Sequence, residues 1–223
     1  MILAHWAVTS TIRGVTRVLC RVEDDWISQV PQQGPLILVC NHINFLDIPV
    51  VYSHLQPRPV TGFAKIETWD NPFMGLLFNL WGAIPIQRGE ADRHALLGGL
   101  KALEEGKILA ITPEGTRSGD GHLRRGRPGV ALISIMSGAP ILPLAYFGSE
   151  DFHQKIRKLQ RTDFHVRVGR RFRIAAQPGR IRSAERRQIT EEIMYQLARL
   201  LPEDYRGDYA NLELATEKYL VFE

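Results

Sequence analysis

The sequence predicts an α/β layer architecture, and three observations carry that prediction. Short apolar runs, LILVC at 36–40, KILAI at 107–111 and PILPLAYFG at 140–148, alternate with stretches of helical periodicity, the pattern of strands and helices stacked in layers. The chain has 223 residues, 44% hydrophobic and 23% charged, enough to bury a substantial core as one domain spanning 1–223. The polar blocks NHINFLD, IPIQRG and TPEGTRSGDG each overlap or abut an apolar run, and in open α/β sheets ligands bind beyond the carboxyl ends of the strands.

Residues 4–21 place Val8, Ile12, Val15 and Leu19 at helical spacing, with Arg13, Arg17 and Arg21 as a basic stripe. This describes an amphipathic helix over 1–21, either lying at a lipid headgroup layer or packed on the core with a solvated basic face. The strand LILVC follows, then a second over Val60–Ala64 that leads into Lys65. Pro72–Leu80 reads as an apolar helix with proline in its first turn, and GAIPI at 82–86 as a strand whose Pro85 marks an edge or irregular end. Asp92–Glu105 is a helix with Asp92 as cap and Gly106 as its stop. After the strand at 107–111 come a small-residue helix over Gly129–Met136 and a strand at 140–148. Phe164, Val166 and Val168 alternate with His165 and Arg167 as a further strand, and Phe172–Ile174 continues or partners it. Ile189–Leu200 reads as a helix with Glu191 and Glu192 in its first turn. Residues 201–223 form a tail or a short helical excursion.

Composition narrows the function classes. Residues 155–187 hold 12 Lys/Arg against two acids, leaving 16 basic and 22 acidic residues elsewhere. Such a face attracts nucleic acid, anionic lipid or phosphorylated metabolites alike. Cys20 and Cys40 are too few for a disulfide framework and read as reduced, structural thiols. The first apolar residues precede the arginines instead of following them, so no cleavable signal peptide is expected. No run approaches the length of a membrane span. There is no GxSxG, HExxH, CxxC or GxxxxGK[ST]. The other histidines are dispersed, which predicts no metal site, and no nucleic-acid reading motif is present.

His42 follows a strand immediately and has Asp47 close behind. A histidine takes a proton from a hydroxyl near neutral pH, and a carboxylate on its other nitrogen sets the tautomer and supports the imidazolium. Five residues apart on a regular helix would put the two about 140° apart. They meet only if His42 precedes the helix and Asp47 lies in its first turn, with Asn44 as a suitable N-cap. TPEGTRSGDG gathers Glu114, the Gly115 and Thr116 amides and Arg117 in one turn. Arg117 has the fork that suits phosphate, and the amides suit an anion or oxyanion. Arg88 and Lys65 are further phosphate candidates. Alone, Glu114 and Arg117 read equally as a surface ion pair, and Arg88 and Lys65 read more readily as solvated loop charge.

In order and separation, NHINFLD at 41–47, IPIQRG at 84–89, TPEGTRSGDG at 112–121 and APILPLA at 139–145 resemble the four motifs of glycerolipid acyltransferases of the lysophosphatidic acid acyltransferase type. VRVGRRF at 166–172 and ARLLPEDYRGDYA at 198–210 resemble the C-terminal part of bacterial members. The resemblance implies a mixed central sheet flanked by helices and transfer of a fatty acyl group from acyl-CoA or acyl carrier protein to 1-acylglycerol 3-phosphate. The work would be done at the cytoplasmic face of a membrane, without cofactor or metal. It makes His42 the general base, held by Asp47, with Glu114 among the catalytic residues. Arg88 and Arg117, helped by Lys65, would hold the acceptor phosphate. Asn41, Gly115, Thr116 and Pro143 would shape the site or the oxyanion position. The chain departs from the pattern at Thr112-Pro113, where many members have an aromatic or apolar residue before proline. After Leu123 it reads RRGRPG in place of an aromatic residue and a lysine-rich pair. Acceptors such as glycerol 3-phosphate or another lysolipid therefore stay open, as does a non-catalytic phospholipid-binding protein using the 155–187 stretch.

Overall fold

The computed structural model describes residues 2–23, 25–87, 92–176 and 182–223. Its centre is β2 (Leu36–Cys40), whose five residues are all buried. A continuous apolar run is what a strand covered on both faces requires. β2 pairs parallel with β5 (Ile108–Ile111) on one side and with β6 (Ile141–Phe147) on the other. Beyond β5 lie β3 (Val60–Lys65) and β4 (Ile84–Ile86), both parallel. On the far side the direction changes. β7 (Thr162–Val168) and β8 (Phe172–Ile174) run antiparallel to β6, β1 (Cys20–Val22) runs parallel to β7, and β9 (Leu220–Phe222) pairs antiparallel with β8. The sheet is therefore mixed.

Alternation along β2 divides the core. Leu36, Leu38 and Cys40 pack with Val50 and Val51 of α2 (Asp47–His54) and with Trp81. Ile37 and Val39 face Ile133 of α5 (Gly129–Ser137) and Ile193 of α7 (Ser183–Leu200). Burying each such side chain contributes roughly 1.5–3 kcal/mol before chain entropy is counted. α3 (Pro72–Leu80) is capped by Asn71, whose side chain accepts from the Phe73 and Met74 amides, and Pro72 starts the helix where its missing N–H costs nothing. α4 (Arg93–Glu104) is capped by Asp92, which accepts from Ala95 N–H, and its other carboxylate oxygen accepts from Gln87 just past β4. Pro85 sits on an edge, since among the described residues β4 pairs with β3 alone.

Four sequence expectations change. α1 (Ile2–Leu19) forms, but its apolar residues split between two faces: Ile12 and Leu19 pack inward, while Val8, Val15 and Val18 are exposed and Thr9 and Thr16 are buried. Trp81 Nε1 donates to the buried Thr9 hydroxyl, so a polar contact takes part in the inward packing of the helix. Arg21 leaves the helical stripe because the chain has already entered β1, where Arg21 pairs with Asp163 at 3.1 Å. α7 begins at Ser183, not Ile189, with Glu185 in the first turn accepting from Arg182 N–H. Glu192 is consequently mid-helix and buried, where it accepts from Thr216, Lys218 and Tyr219 of the C-terminal segment. That segment packs through three 3-10 turns before β9 joins the sheet. A short helix, α6 (Phe152–Arg157), precedes β7. Cys20 and Cys40 are both free and buried.

Candidate active site

The parallel strands β2, β5, β3 and β4 end on the same side of the sheet, and the chemistry collects there. The chain leaves β2 at Cys40, and His42 follows before any helix begins. Asp47 is the first residue of α2, and its Oδ2 lies 2.7 Å from His42 Nδ1. The same oxygen accepts from the Ile43 and Asn44 amides at 2.7 and 3.0 Å. Asp47 thus closes the turn that carries the histidine. Asn44 does not cap α2: its carbonyl oxygen accepts from Leu46 N–H, and its amide donates to the Ser149 carbonyl. Both members of the pair are buried, at 5% and 1% exposure. Burial pushes the Asp47 carboxyl up, while the imidazole and the two amides pull it back toward the ionised form.

Glu114 braces the histidine from behind. Its Oε1 accepts from His42 N–H at 2.8 Å and its Oε2 from Arg124 N–H at 3.0 Å. The His42 carbonyl in turn accepts from Ser118 N–H at 2.8 Å. Desolvation raises the Glu114 carboxyl from 4.5 to about 7, against the pull of those two amides and with a contribution from nearby Asp47. Both carboxyl oxygens accept from backbone amides, so Glu114 holds the turn that carries the histidine.

His42 opens on a cavity of about 800 Å³, large enough for an extended organic ligand. Phe63, Phe78, Trp81, Leu96 and Ile133 supply apolar lining, and Lys65, Arg117 and Arg127 supply cations. Gly62 on β3 also lines it: a Cβ there would fall 2.8 Å from the Ala110 carbonyl and 2.9 Å from the Tyr52 hydroxyl.

Of the residues singled out in the sequence, His42, Asp47, Lys65, Gly115, Thr116 and Arg117 line this cavity. Arg88 lies outside the described residues. The Gly115 N–H donates to the Thr112 carbonyl at 3.0 Å and is committed there, whereas the Thr116 amide has no acceptor among the described residues. Gly115 has φ +69°, and a Cβ there would stand 2.9 Å from the Arg127 side chain. Asn41 does not line the cavity. Its amide donates to the Tyr146 carbonyl at 2.8 Å and its oxygen accepts from Tyr146 N–H at 2.9 Å, extending the β2–β6 pairing with a side chain. Pro143 sits in β6 opposite Val39, and its carbonyl accepts from Gly169 N–H. Arg127 was not singled out by the sequence. Its Nε donates to the Glu114 carbonyl at 3.3 Å, and the only signal for it was the arginine-rich departure RRGRPG.

A family model described as Acyltransferase matches residues 21–147. The chain is 28% identical over 130 residues to a 1-acyl-sn-glycerol-3-phosphate acyltransferase of Bacillus subtilis, covering 58% of this chain and 64% of that protein. It is 30% identical over 118 residues to a lyso-ornithine lipid O-acyltransferase of Pseudomonas aeruginosa, covering 52% and 44%. Each alignment takes in less than two thirds of the relative's own length. In fold the chain is similar to the crystal structure of a 1-acyl-sn-glycerophosphate acyltransferase from Thermotoga maritima. The TM-score is 0.62 at 22% identity, over 85% of this chain and 78% of that one.

Proposed function

The chain belongs to the glycerolipid (lysophosphatidic acid) acyltransferase family, and from that premise we propose that it transfers a fatty acyl group from a thioester donor, acyl-CoA or acyl carrier protein, to the free hydroxyl of 1-acylglycerol 3-phosphate at a membrane surface. One observation carries the reading: a buried His42–Asp47 pair at 2.7 Å, opening on a largely apolar cavity that also holds Arg117, Arg127 and Lys65.

With Nδ1 engaged by Asp47, Nε2 is the nitrogen left to take the acceptor hydroxyl's proton. The alkoxide oxygen bonds to the thioester carbonyl carbon, whose π electrons move to oxygen. The tetrahedral intermediate then expels the thiolate, which recovers the proton from His42. Asp47 supports the imidazolium while it exists. The Thr116 amide would serve as a backbone donor to the oxyanion, since it has no acceptor among the described residues and the Gly115 amide is committed elsewhere. Arg117 and Arg127, with Lys65 and Arg88, would grip the phosphate and so orient the hydroxyl beside His42.

The test is release of free thiol and of diacyl product with acyl-CoA or acyl carrier protein donors and a panel of lysolipids. His42→Ala is expected to lose about 10²–10⁴-fold in kcat. Absence of transfer to any acceptor, or a variant as active as the wild type, would reject the mechanism. The similarity to a lyso-ornithine lipid O-acyltransferase and the RRGRPG departure favour a second reading, in which the acceptor is a lysolipid without a phosphate. Arg117→Ala separates the two readings. It should damage use of a phosphate-bearing acceptor more than acceptor-free thioester hydrolysis, and equal losses would count against a phosphate clamp.

A further inference from the structure

We propose that the C-terminal segment 203–209 positions the acceptor side of the site, with Asp208 and Tyr209 as positioning residues; the proposal rests on the acyl-transfer reading above. Residues 123–127 have neither helix nor strand, so their amides need partners from elsewhere. Those partners come from two directions. The Leu123 N–H donates to the Tyr205 carbonyl at 2.9 Å, that of Arg125 to Asp208 Oδ2 at 3.1 Å, and that of Gly126 to the Tyr209 hydroxyl at 3.1 Å. The Arg124 and Arg127 N–H groups point the other way, to Glu114 Oε2 at 3.0 Å and to the Pro113 carbonyl at 2.8 Å. The Asp208 N–H returns a bond to the Leu123 carbonyl at 3.0 Å. Five consecutive amides are thus shared between the C-terminal segment and the turn that braces His42.

The contact is close by construction. A Cβ on Gly207 would fall 2.2 Å from the Leu123 carbonyl oxygen, so the two backbones meet only because that position is glycine. Gly126 packs against α7 just as tightly: a Cβ there would meet Met194 at 2.6 Å and Thr190 at 2.8 Å. Tyr209 is 1% exposed, stands edge-on to Tyr195 at 5.1 Å, and its hydroxyl donates to Glu191 while accepting from Gly126. What this clamp holds is the approach of Arg127 to the cavity and of the Arg124 amide to Glu114. The segment lies wholly outside residues 21–147, the span of the family match.

Positioning of this kind makes a distinct kinetic prediction. Asp208→Ala removes the acceptor for Arg125 N–H from an exposed position, and Tyr209→Phe keeps the ring while removing the hydroxyl. Each should raise the KM for a phosphate-bearing lysolipid about tenfold while leaving kcat and acceptor-free thioester hydrolysis within about twofold. Asp208→Asn retains a side-chain carbonyl and should restore the wild-type KM. Amide hydrogen exchange at 123–127 should accelerate in the first two variants and not in the third. An unchanged KM and unchanged exchange would overturn the proposal. So would a parallel fall of kcat and hydrolysis, which is the signature of a merely structural segment. If the wild type itself transfers to no lysolipid, the acyl-transfer reading fails and this one falls with it; an active wild type with indifferent variants sinks only the positioning role.

Discussion

Glu114 shows what one side chain does when both its oxygens serve backbone. Its carboxyl is raised from 4.5 to about 7, mainly by burial, so between those values the folded protein holds a proton that the unfolded chain releases. Stability therefore falls as pH rises through that window, by on the order of 3 kcal/mol. Glu114→Gln removes the titration. Whatever constant penalty it adds by losing one acceptor, the wild type's advantage over it should shrink between about pH 4.5 and pH 7 and then level off, which urea denaturation across pH would record. A stability difference independent of pH would contradict the raised carboxyl. The His42–Asp47 pairing was legible in the sequence because a five-residue separation leaves only one way to meet, with the histidine before the helix and the aspartate in its first turn. Arg127 was not legible. Its importance comes from Gly115 having no side chain beside it, and a cation in a loop carries no mark of what lies across from it.

At the scale of elements, the strands and the helices at 72–80, 92–105 and 129–136 could be read because continuous apolar runs, caps and stop glycines act locally. β1, β9 and the early start of α7 could not, since Cys20–Val22, Leu220–Phe222 and a polar first turn carry no pattern that sets them apart from their surroundings and are fixed by their partners. Asn41 belongs to the same class. It reads as a site residue beside a histidine, yet it works as an added rung between β2 and β6. Asn41→Ala would leave both the N–H and the carbonyl of Tyr146 buried without those bonds, at a cost of about 2–5 kcal/mol. The denaturation midpoint should drop accordingly with little change in the slope, and a shift under about 0.5 kcal/mol would show that the rung is dispensable.

For the whole molecule, the feature of interest is the set of exposed apolar side chains that α1 and α3 present around their solvent side. Trp6 and Val18 are about 70% exposed, at 68% and 71%, Val15 is 50% exposed, and on α3 Phe73 and Leu76 are 83% and 69% exposed. No helix among the described residues is long and apolar enough to cross a membrane. A protein working on lipid acceptors can use such side chains to settle into an interface. The triple variant Trp6→Ser, Val15→Ser, Val18→Ser should lose most flotation with vesicles containing anionic lipid while keeping acyl transfer to a detergent-dispersed acceptor. Undiminished flotation would move the contact to the basic 155–187 stretch. The parallel pairing of β1 with β7, in register from Cys20 to Thr162, bears on how the molecule comes into being. A strand whose partner lies some 140 residues downstream has nothing to pair with during most of synthesis, and closing so long a loop is slow. Until β7 emerges, β1 stays unpaired and α1 is held only by its packing on α2 and Trp81. Refolding from urea should therefore show a slow phase that carries the recovery of activity, and vesicles present from the start should change its rate.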